Sequence, residues 1–403
     1  MIRGLIVFED ARWADLQPLT DALPTPALAF GAGTLASRWM EQARLPLAAL
    51  EARAAVAAAW AGPAVTARPA DSDEVLAVNA VALPGAWLDQ VRGGRTPAVW
   101  LAHDRVVAAR APWSALTGGL GRGDFERFLL SLGIPTFAVE APVLRFAWDL
   151  IEHNPIALAR DLDEPGSIAG EVHATAVMLE PQRISIAAGA RIEALTVLDA
   201  RAGPIRIGAR AVIQSHSLVI GPCAIGDGTQ ILGGVVGNST FGPQCRIAGE
   251  VDACIWQGYA NKRHHGFVGH SVIGEWVNLG ALTTTSDLKN NYGEVKVWVG
   301  ERELATGSNK VGSILGAHVK TGIGTLLPTG AAIGVGANLF GGGRFAPKRV
   351  VSFAWWDGER TVEHELEKFL ATARIAMSRR ARELLAADEN LWRQVHAATR
   401  RKP

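Results

Sequence analysis

The segment Ile205–Ile231 reads IRIGARAVIQSHSLVIGPCAIGDGTQI, and its spacing decides the fold of the chain's second half. Aliphatic residues recur about every six positions, at Ile207, Ile213, Ile225 and Ile231, and two of them are followed by glycine (Ile207-Gly208, Ile225-Gly226). The pattern extends back to Ile186-Ala187 and Ile192. It extends forward through Ile247-Ala248, Ile273-Gly274, Leu279-Gly280, Leu315-Gly316, Ile323-Gly324 and Ile333-Gly334. A hexapeptide period is the mark of a β-helix. Each hexad supplies one short strand and a turn, the aliphatic side chain points inward onto its equivalent one coil away, and small residues fit the tight corners. Strands of successive coils then lie about 4.8 Å apart and share backbone hydrogen bonds. A left-handed parallel β-helix is expected over residues 163–357.

Two breaks in this register stand out, Cys254 to Gly266 and Thr283 to Gly312. Both are expected to be loops thrown out of the coil, where solenoids carry function. They fall within or beside the stretch Gly258–Tyr292, GYANKRHHGFVGHSVIGEWVNLGALTTTSDLKNNY, which holds His264, His265 and His270. A scaffold of small and aliphatic residues has no structural use for three imidazoles, whereas a histidine is readily poised as a general base near neutral pH. A satisfied structural histidine is the competing reading. No carboxylate lies at a clear ligand spacing from the three, so no metal site is expected.

The flanking regions differ in pattern. Residues 1–162 read as an α/β domain, with strands at Leu5–Phe8, Glu74–Asn79 and Ala98–Ala102. An Ala-rich helix is expected over Leu45–Trp60, and further helices over Asp124–Leu132 and Phe146–Asp161. The Asp163-Glu164-Pro165-Gly166-Ser167 stretch reads as the boundary. Residues 358–403 read as a helical extension running from Thr361 to about His396, with Leu366, Phe369, Leu370, Ala373 and Met377 on one apolar face. The Arg379-Arg380-Ala381-Arg382 cluster reads as a solvated face or an oligomer contact, or as a place to meet an anion.

Composition sets outer bounds. The 403 residues are 48% hydrophobic and 20% charged, as in a globular protein, and the net charge of +1 gives no support for a nucleic-acid or anionic-membrane partner. The three cysteines show no CxxC spacing and read as buried reduced thiols. The N-terminus, MIRGLIVFEDARW, is too short in apolar run and too polar for a signal peptide, and no apolar run approaches a membrane span. A soluble cytoplasmic protein is expected.

The hexapeptide region resembles the left-handed β-helix acyltransferases. Within them it is most similar to the acetyltransferase half of the bifunctional glucosamine-1-phosphate acetyltransferase / N-acetylglucosamine-1-phosphate uridyltransferase family. The whole chain looks like that family's variant bacterial branch of sugar nucleotidyltransferases. In that family the catalytic histidine lies five residues before the glycine of a Tyr-Leu-Gly segment, followed by Val-Asn-Ile-Gly-Ala and then an Asn-Tyr pair. Here His264 precedes Gly269 of Phe267-Val268-Gly269 by five residues, Val277-Asn278-Leu279-Gly280-Ala281 follows, and Asn291-Tyr292 comes later, displaced by a short insertion. Over the first 160 residues the resemblance rests on Pro18-Leu19-Thr20, Asn79, Trp148-Asp149-Leu150 and Asn154.

The resemblance implies roles residue by residue. His264 is the general base that takes a proton from the acceptor amine as it attacks the thioester of acetyl-CoA. Asn278 hydrogen-bonds the sugar, Asn291 and Tyr292 lie near the acceptor and acetyl site, and Ala281 brings its backbone near the acyl group or pantetheine arm. Lys262, Arg263, Lys289 and Lys296 are candidates for phosphate contacts on acceptor or coenzyme. Phe267 replaces the family's tyrosine, and Glu250 and Asp252 stand where it carries basic residues, so the acceptor is left open to another amino sugar, free or nucleotide-linked. In place of a G-G-x-G-T-R loop the first strand runs into Phe8-Glu9-Asp10-Ala11-Arg12. Gly31-Ala32-Gly33-Thr34 follows Pro18-Leu19-Thr20, whereas the family's loop precedes that element, and it reads as an incidental turn. The first domain is therefore expected to be a divergent nucleotidyltransferase fold, with Asp10, Arg12 and Asp149 as its polar candidates and Mg²⁺ only if it is active. The leading expectation is an acetyl-CoA-dependent N-acetyltransferase acting on an amino sugar phosphate or a nucleotide sugar, assembled as a homotrimer. The alternatives are a sugar-1-phosphate nucleotidyltransferase that makes UDP-N-acetylglucosamine and uses the β-helix as a trimerisation scaffold, and a non-catalytic trimeric assembly module.

Overall fold

The computed structural model describes residues 1–400. They form two compact units that do not follow chain order. The first comprises Met1–Leu16, Leu23–Leu28 and Gly33–Phe146; the second comprises Gln17–Ala22, Ala29–Ala32 and residues from Ala147 onward.

The first unit is built on a six-stranded mixed sheet in the order Leu47–Glu51, Ile2–Phe8, Glu74–Asn79, Arg105–Pro112, Ala98–Ala102, Thr136–Ala138. Ile2–Phe8 runs parallel to both its neighbours, and Leu5, Ile6, Val7 and Phe8 are fully buried, as a central strand covered on both faces requires. Arg105–Pro112 runs antiparallel to both of its neighbours. The stretch read as an Ala-rich helix from Leu45 is instead the edge strand Leu47–Glu51, followed by a short helix, Ala54–Ala59. Parallel pairing with Ile2–Phe8 overrides the helix preference of alanine. The helices Phe125–Ser131, capped by the Asp124 side chain, and Ala147–Asp161 lie where the sequence places them.

The second unit is a parallel β-solenoid of about 10 turns over residues 171–356. Its coils stack in register. On one face Ile205, Cys223 and Thr240–Ile255 pairings carry the ladder forward, and Trp256 pairs with Ile273 and Ile273 with Leu315. On the next face an outward row runs through Arg246, Asn261, Asn278, Lys320 and Asn338. Corners are made by left-handed residues at equivalent positions: Arg210, Gln244, Tyr259, Trp276, His318 and Phe353 all have φ between 55° and 61°. Gly228 and Gly336 take the same place in two further coils. Non-glycine residues at such φ are uncommon, and stacking on both sides holds Gln244, Tyr259, Trp276 and His318 there in four successive coils. The core is a column of Ile207, Ile213, Ile231, Ile247, Leu279 and their equivalents, all buried.

The first expected loop does not exist. Ile255–Trp256 and Asn261–Lys262 are regular coil strands. Trp256 and Lys262 fill inward slots that elsewhere hold aliphatic residues, so the coil is present while its hexapeptide signature is hidden. The second excursion is real. Residues 286–311 leave the coil and contain an antiparallel hairpin, Lys296–Val299 with Arg302–Ala305. The solenoid resumes at Ser313–Leu315, which pairs onward with Ala331–Ile333. At the C-terminal end Thr361–Glu363 is a strand paired with Ala354–Trp356, and the extension is two helices, Leu366–Ser378 and Ala386–Arg400, separated by a turn with Ala381 at φ 51°. Phe369, Leu370, Ala373, Met377 and Trp392 pack on the corner formed by Ala317, Val335 and Phe353. There His318 is buried between Trp276 and the edges of Phe369 and Trp392, and burial holds its pKa well below the ordinary value, so it is neutral.

Candidate active site on the solenoid

Coil geometry separates the three histidines. His264 and His265 lie exposed at the corner after the strand Asn261–Lys262, whereas His270 lies at the following corner, after Phe267–Gly269, with φ 43°. The first corner is clamped by backbone. Leu282 N–H donates to the His265 carbonyl at 2.9 Å, and a Cβ on Gly266, which sits at φ 130°, would lie 2.2 Å from the Thr283 carbonyl oxygen. Only glycine fits there. The His264 ring makes no hydrogen bond among the described residues and is open to solvent.

Lys262 fixes the same corner from beneath. Its side chain is 1% exposed, in the slot one coil after Ile247, and its ammonium donates to the Ala248 carbonyl at 3.0 Å and the His264 carbonyl at 2.8 Å. Burial lowers its pKa to about 8. The ammonium therefore does not reach the surface, and the phosphate contact expected of Lys262 is replaced by a structural one. Chain periodicity is the reason: the strand's alternation that points Asn261 outward must point Lys262 inward.

His270 is the histidine with a partner. Its Nδ1 lies 2.7 Å from Asp287 Oδ2, with both side chains mostly buried. Burial raises the pKa of Asp287, but the hydrogen bond and charge of His270 outweigh it, and the net shift is downward. Neighbouring hydroxyls complete the packing: Thr285 Oγ1 accepts from Gly269 N–H, and Ser271 Oγ donates to the Gly269 carbonyl.

The remaining expected residues fall into two groups. Asn278 lies on the outward row beside Asn261, whose amide donates to Asn278 Oδ1 at 2.6 Å. Ala281 lies at the corner opposite His265 and Gly266. Its carbonyl accepts from Gly324 N–H at 2.8 Å, while its own N–H has no partner among the described residues. Asn291, Tyr292, Lys289 and Lys296 belong to the excursion and bond within it. Asn291 caps Gly293 N–H, Tyr292 is 72% exposed in a turn closed on the Lys289 carbonyl, and Lys289 donates to the Glu294 carbonyl. Lys289 and Lys296 both face Glu303. None of these four hydrogen-bonds the 261–270 segment. Phe267 is paired in register with Glu250, so the two departures from the family pattern are neighbours.

One feature escaped the sequence. Beside Asn278 the outward row and the Leu366–Ser378 helix enclose a cleft of about 470 Å³. It is lined by Arg246, Asn261, Arg263, Asn278 and Lys320 from the coils and by Arg379 and Arg380 beyond the helix. Its members are scattered over more than a hundred positions, and only coil stacking brings them together.

In the first unit the polar residues at the end of the first strand are engaged with one another. Asp10 is buried and accepts from Arg12 N–H, Asn79 and Arg105; Glu9 accepts from Thr25 and Arg53. Arg12 pairs with Asp104, and that hydrogen bond raises the arginine's pKa. Asp149 belongs to the Ala147–Asp161 helix of the second unit. Glu9, Asp10 and Asp104 point at protein cations, and no group of three or more His, Cys, Asp or Glu side chains converges among the described residues. They do not fit an Mg²⁺ site. Gly31 is tied through both backbone groups, to Asn154 Oδ1 and Thr240 Oγ1, which fits an incidental turn rather than a phosphate loop. Among the described residues no helix is long and apolar enough to cross a membrane.

Comparison with known proteins agrees with the resemblance drawn from the sequence. Residues 5–165 match the family described as sugar nucleotidyl transferase. A segment of 79 residues is 40% identical to a bifunctional sugar-1-phosphate nucleotidylyltransferase/acetyltransferase of Sulfurisphaera tokodaii; the match covers 20% of this chain and 20% of that protein. Among solved structures, a UDP-N-acetylglucosamine acyltransferase from Campylobacter jejuni is 16% identical, covering 57% of this chain and 82% of its own, with a TM-score of 0.28. A perosamine N-acetyltransferase from Caulobacter crescentus, solved with CoA and GDP-perosamine, is 12% identical, covering 88% and 93%, with a TM-score of 0.14.

Proposed function

We propose that the solenoid is an acetyl-CoA-dependent N-acetyltransferase whose acceptor is an amino sugar carrying a phosphate or a nucleotide. The observation that carries this reading is the corner at His264. An exposed imidazole stands on a backbone clamped by Gly266 and Lys262, beside the Ala281 corner, and neither the imidazole nor the Ala281 N–H has a partner among the described residues. The local identity to a bifunctional nucleotidylyltransferase/acetyltransferase supports it.

The chemistry follows from those groups. The acceptor amine attacks the thioester carbonyl of acetyl-CoA, and His264 takes the proton that the amine loses as the C–N bond forms. Negative charge gathers on the carbonyl oxygen, where a fixed donor such as the Ala281 N–H stabilises it more than it does the ground state. Collapse breaks the C–S bond, and the proton held by His264 passes to the departing thiolate. The amide and free coenzyme A remain. Asn278 supplies an amide for the sugar, while Asn291 and Tyr292 serve this site only if the excursion swings or comes from a neighbouring subunit of a trimer.

The family match over residues 5–165 favours a second reading, nucleotidyl transfer to a sugar 1-phosphate in the first unit, with the solenoid as scaffold. A paired assay separates them. Acetyl-CoA with glucosamine 1-phosphate, and then with a panel of nucleotide-linked amino sugars, is followed by thiol release. UTP with N-acetylglucosamine 1-phosphate and Mg²⁺ is followed by pyrophosphate release. Thiol release that drops at least a hundredfold in His264→Ala is the expected result. Thiol release unchanged in that variant removes His264 as base, and silence in both assays leaves the assembly module.

A further inference from the structure

The cleft beneath the Leu366–Ser378 helix concentrates positive charge that the protein does nothing to neutralise. Arg246, Arg263, Lys320, Arg379 and Arg380 line it, and no carboxylate appears among its described lining residues. None of the five makes an ion pair among the described residues, although the chain as a whole is almost balanced at +1. Like charges held together without a counter-ion are unfavourable, and guanidinium groups cannot escape by losing a proton.

The donors are also incompletely used. Arg246 anchors Nη1 on the carbonyls of Gly228, Gln244 and Cys245 and leaves its other nitrogens without protein partners. Arg380 keeps Nε buried with no hydrogen-bond partner. Lys320 is a partly buried residue whose ammonium makes no hydrogen bond among the described residues, and burial lowers its pKa to about 8. Arg246 and Arg380 are likewise lowered, first by burial and then by neighbouring arginines. A buried polar group without a partner calls for an explanation, and an anion in the cleft supplies one.

The rest of the lining is suited to an organic group attached to that anion. Tyr259 and Trp276 stack at 4.4 Å with 14° between their planes and border the cleft. The Asn261–Asn278 pair spends one amide N–H and one carbonyl on itself and leaves the remaining amide groups to face outward. We infer that this cleft is a binding site for an organic diphosphate, the group shared by nucleoside diphosphates and coenzyme A, with the arginines on the phosphates and the aromatic pair beside the attached moiety. The inference stands whether or not His264 is a base, because it rests on the cleft alone.

The test is calorimetric titration of the full chain with inorganic pyrophosphate, UDP and coenzyme A. Wild type is expected to bind all three saturably, with affinity falling as salt rises. Arg263→Glu/Arg379→Glu, which reverses two exposed charges, is expected to weaken pyrophosphate at least tenfold. Arg379→Gln should weaken it less, and the control Arg191→Glu, a charge reversal on the same face but in an early coil, should leave it unchanged. UDP tighter than coenzyme A assigns the site to nucleotides, and the reverse order assigns it to the coenzyme. Titrating His264→Ala separates this site from acetyl transfer, since its diphosphate affinity should equal that of wild type. The proposal fails if pyrophosphate gives no saturable heat with wild type. It also fails if the double variant, with an unchanged circular dichroism spectrum and melt, binds as wild type does.

Discussion

Lys262 offers the sharpest test of how the solenoid is held together. It occupies an inward slot opposite Ile247, with its ammonium on two carbonyls, and its pKa is lowered from 10.5 to about 8 by burial. A drop of that size corresponds to about 3 kcal/mol by which folding disfavours the charged amine at pH 7, at about 1.4 kcal/mol per pKa unit. The folded-state pKa lies below the unfolded one. Below pH 8 both states are charged and the whole cost is present. Between pH 8 and 10.5 the unfolded chain binds the extra proton, so this group's contribution to stability rises with pH. Lys262→Met keeps the stem, removes the charge and orphans the Ala248 and His264 carbonyls, each worth about 1–3 kcal/mol. The two effects nearly cancel at pH 7. At pH 10.5 the relief is gone and the orphaned carbonyls remain, so the variant should fall behind wild type by about 3 kcal/mol more than at pH 7. Urea midpoints followed by tryptophan fluorescence at pH 7, 9 and 10.5 measure this difference, and the ¹³Cε shift of Lys262 should titrate well before those of exposed lysines. A stability difference that stays flat across that range refutes the argument.

The other predictions address separate parts of the molecule. Cys223, Cys245 and Cys254 are fully buried, and burial pushes all three thiols up, the first two to about 12. A thiol-specific chromogenic reagent should find no reactive thiol in the native protein and three in denaturant. Asp287→Asn should cost about 1 kcal/mol at pH 7, and the cost should fade as pH falls through the carboxyl's lowered pKa, because Asp287 contributes only while ionised. Denaturation curves at pH 7 and at a pH well below 3.8 check this. Asp10→Ala leaves Arg105, buried in the first unit, without its closest carboxylate and should cost about 3 kcal/mol, read as an earlier thermal transition.

The sequence carries the solenoid because its coils obey one rule: Ile207, Ile213, Ile231, Ile247 and Leu279 mark inward slots directly. The coil at residues 255–269 evades the rule because a tryptophan and a lysine fill those slots. Lysine is read as surface in any hydropathy pattern, and only the ladder through Ile247 shows it turned in. Leu47–Glu51 was hidden for a different reason. Alanine carries no preference strong enough to resist a neighbour, and that neighbour, Ile2–Phe8, lies forty residues away in the chain. At the candidate site, His264 and Asn278 are proposed from the resemblance, through their spacing to Gly269 and Ala281. The cationic cleft could not, since Arg246, Asn261, Asn278 and Lys320 become neighbours only through coil register and Arg379 through the docking of a helix. Arg379-Arg380 was legible only as a charged cluster of undecided purpose.

The 17-residue step from Asn261 to its ladder partner Asn278 has a consequence for how such a chain tolerates changes in length. One residue gained or lost inside a strand turns a slot residue outward and breaks every rung it touches. A gain at a corner is harmless if both ends return to the same rung. The 286–311 excursion illustrates this: Val311 N–H closes on the Asp287 carbonyl and the ladder resumes as if nothing had intervened. Length in this domain is therefore quantised, in whole coils or in corner insertions of any size. Adding a coil at residue 190 would leave the His264 corner untouched, whereas adding one between Asn278 and Lys320 would draw the cations of the cleft apart by one 4.8 Å rung.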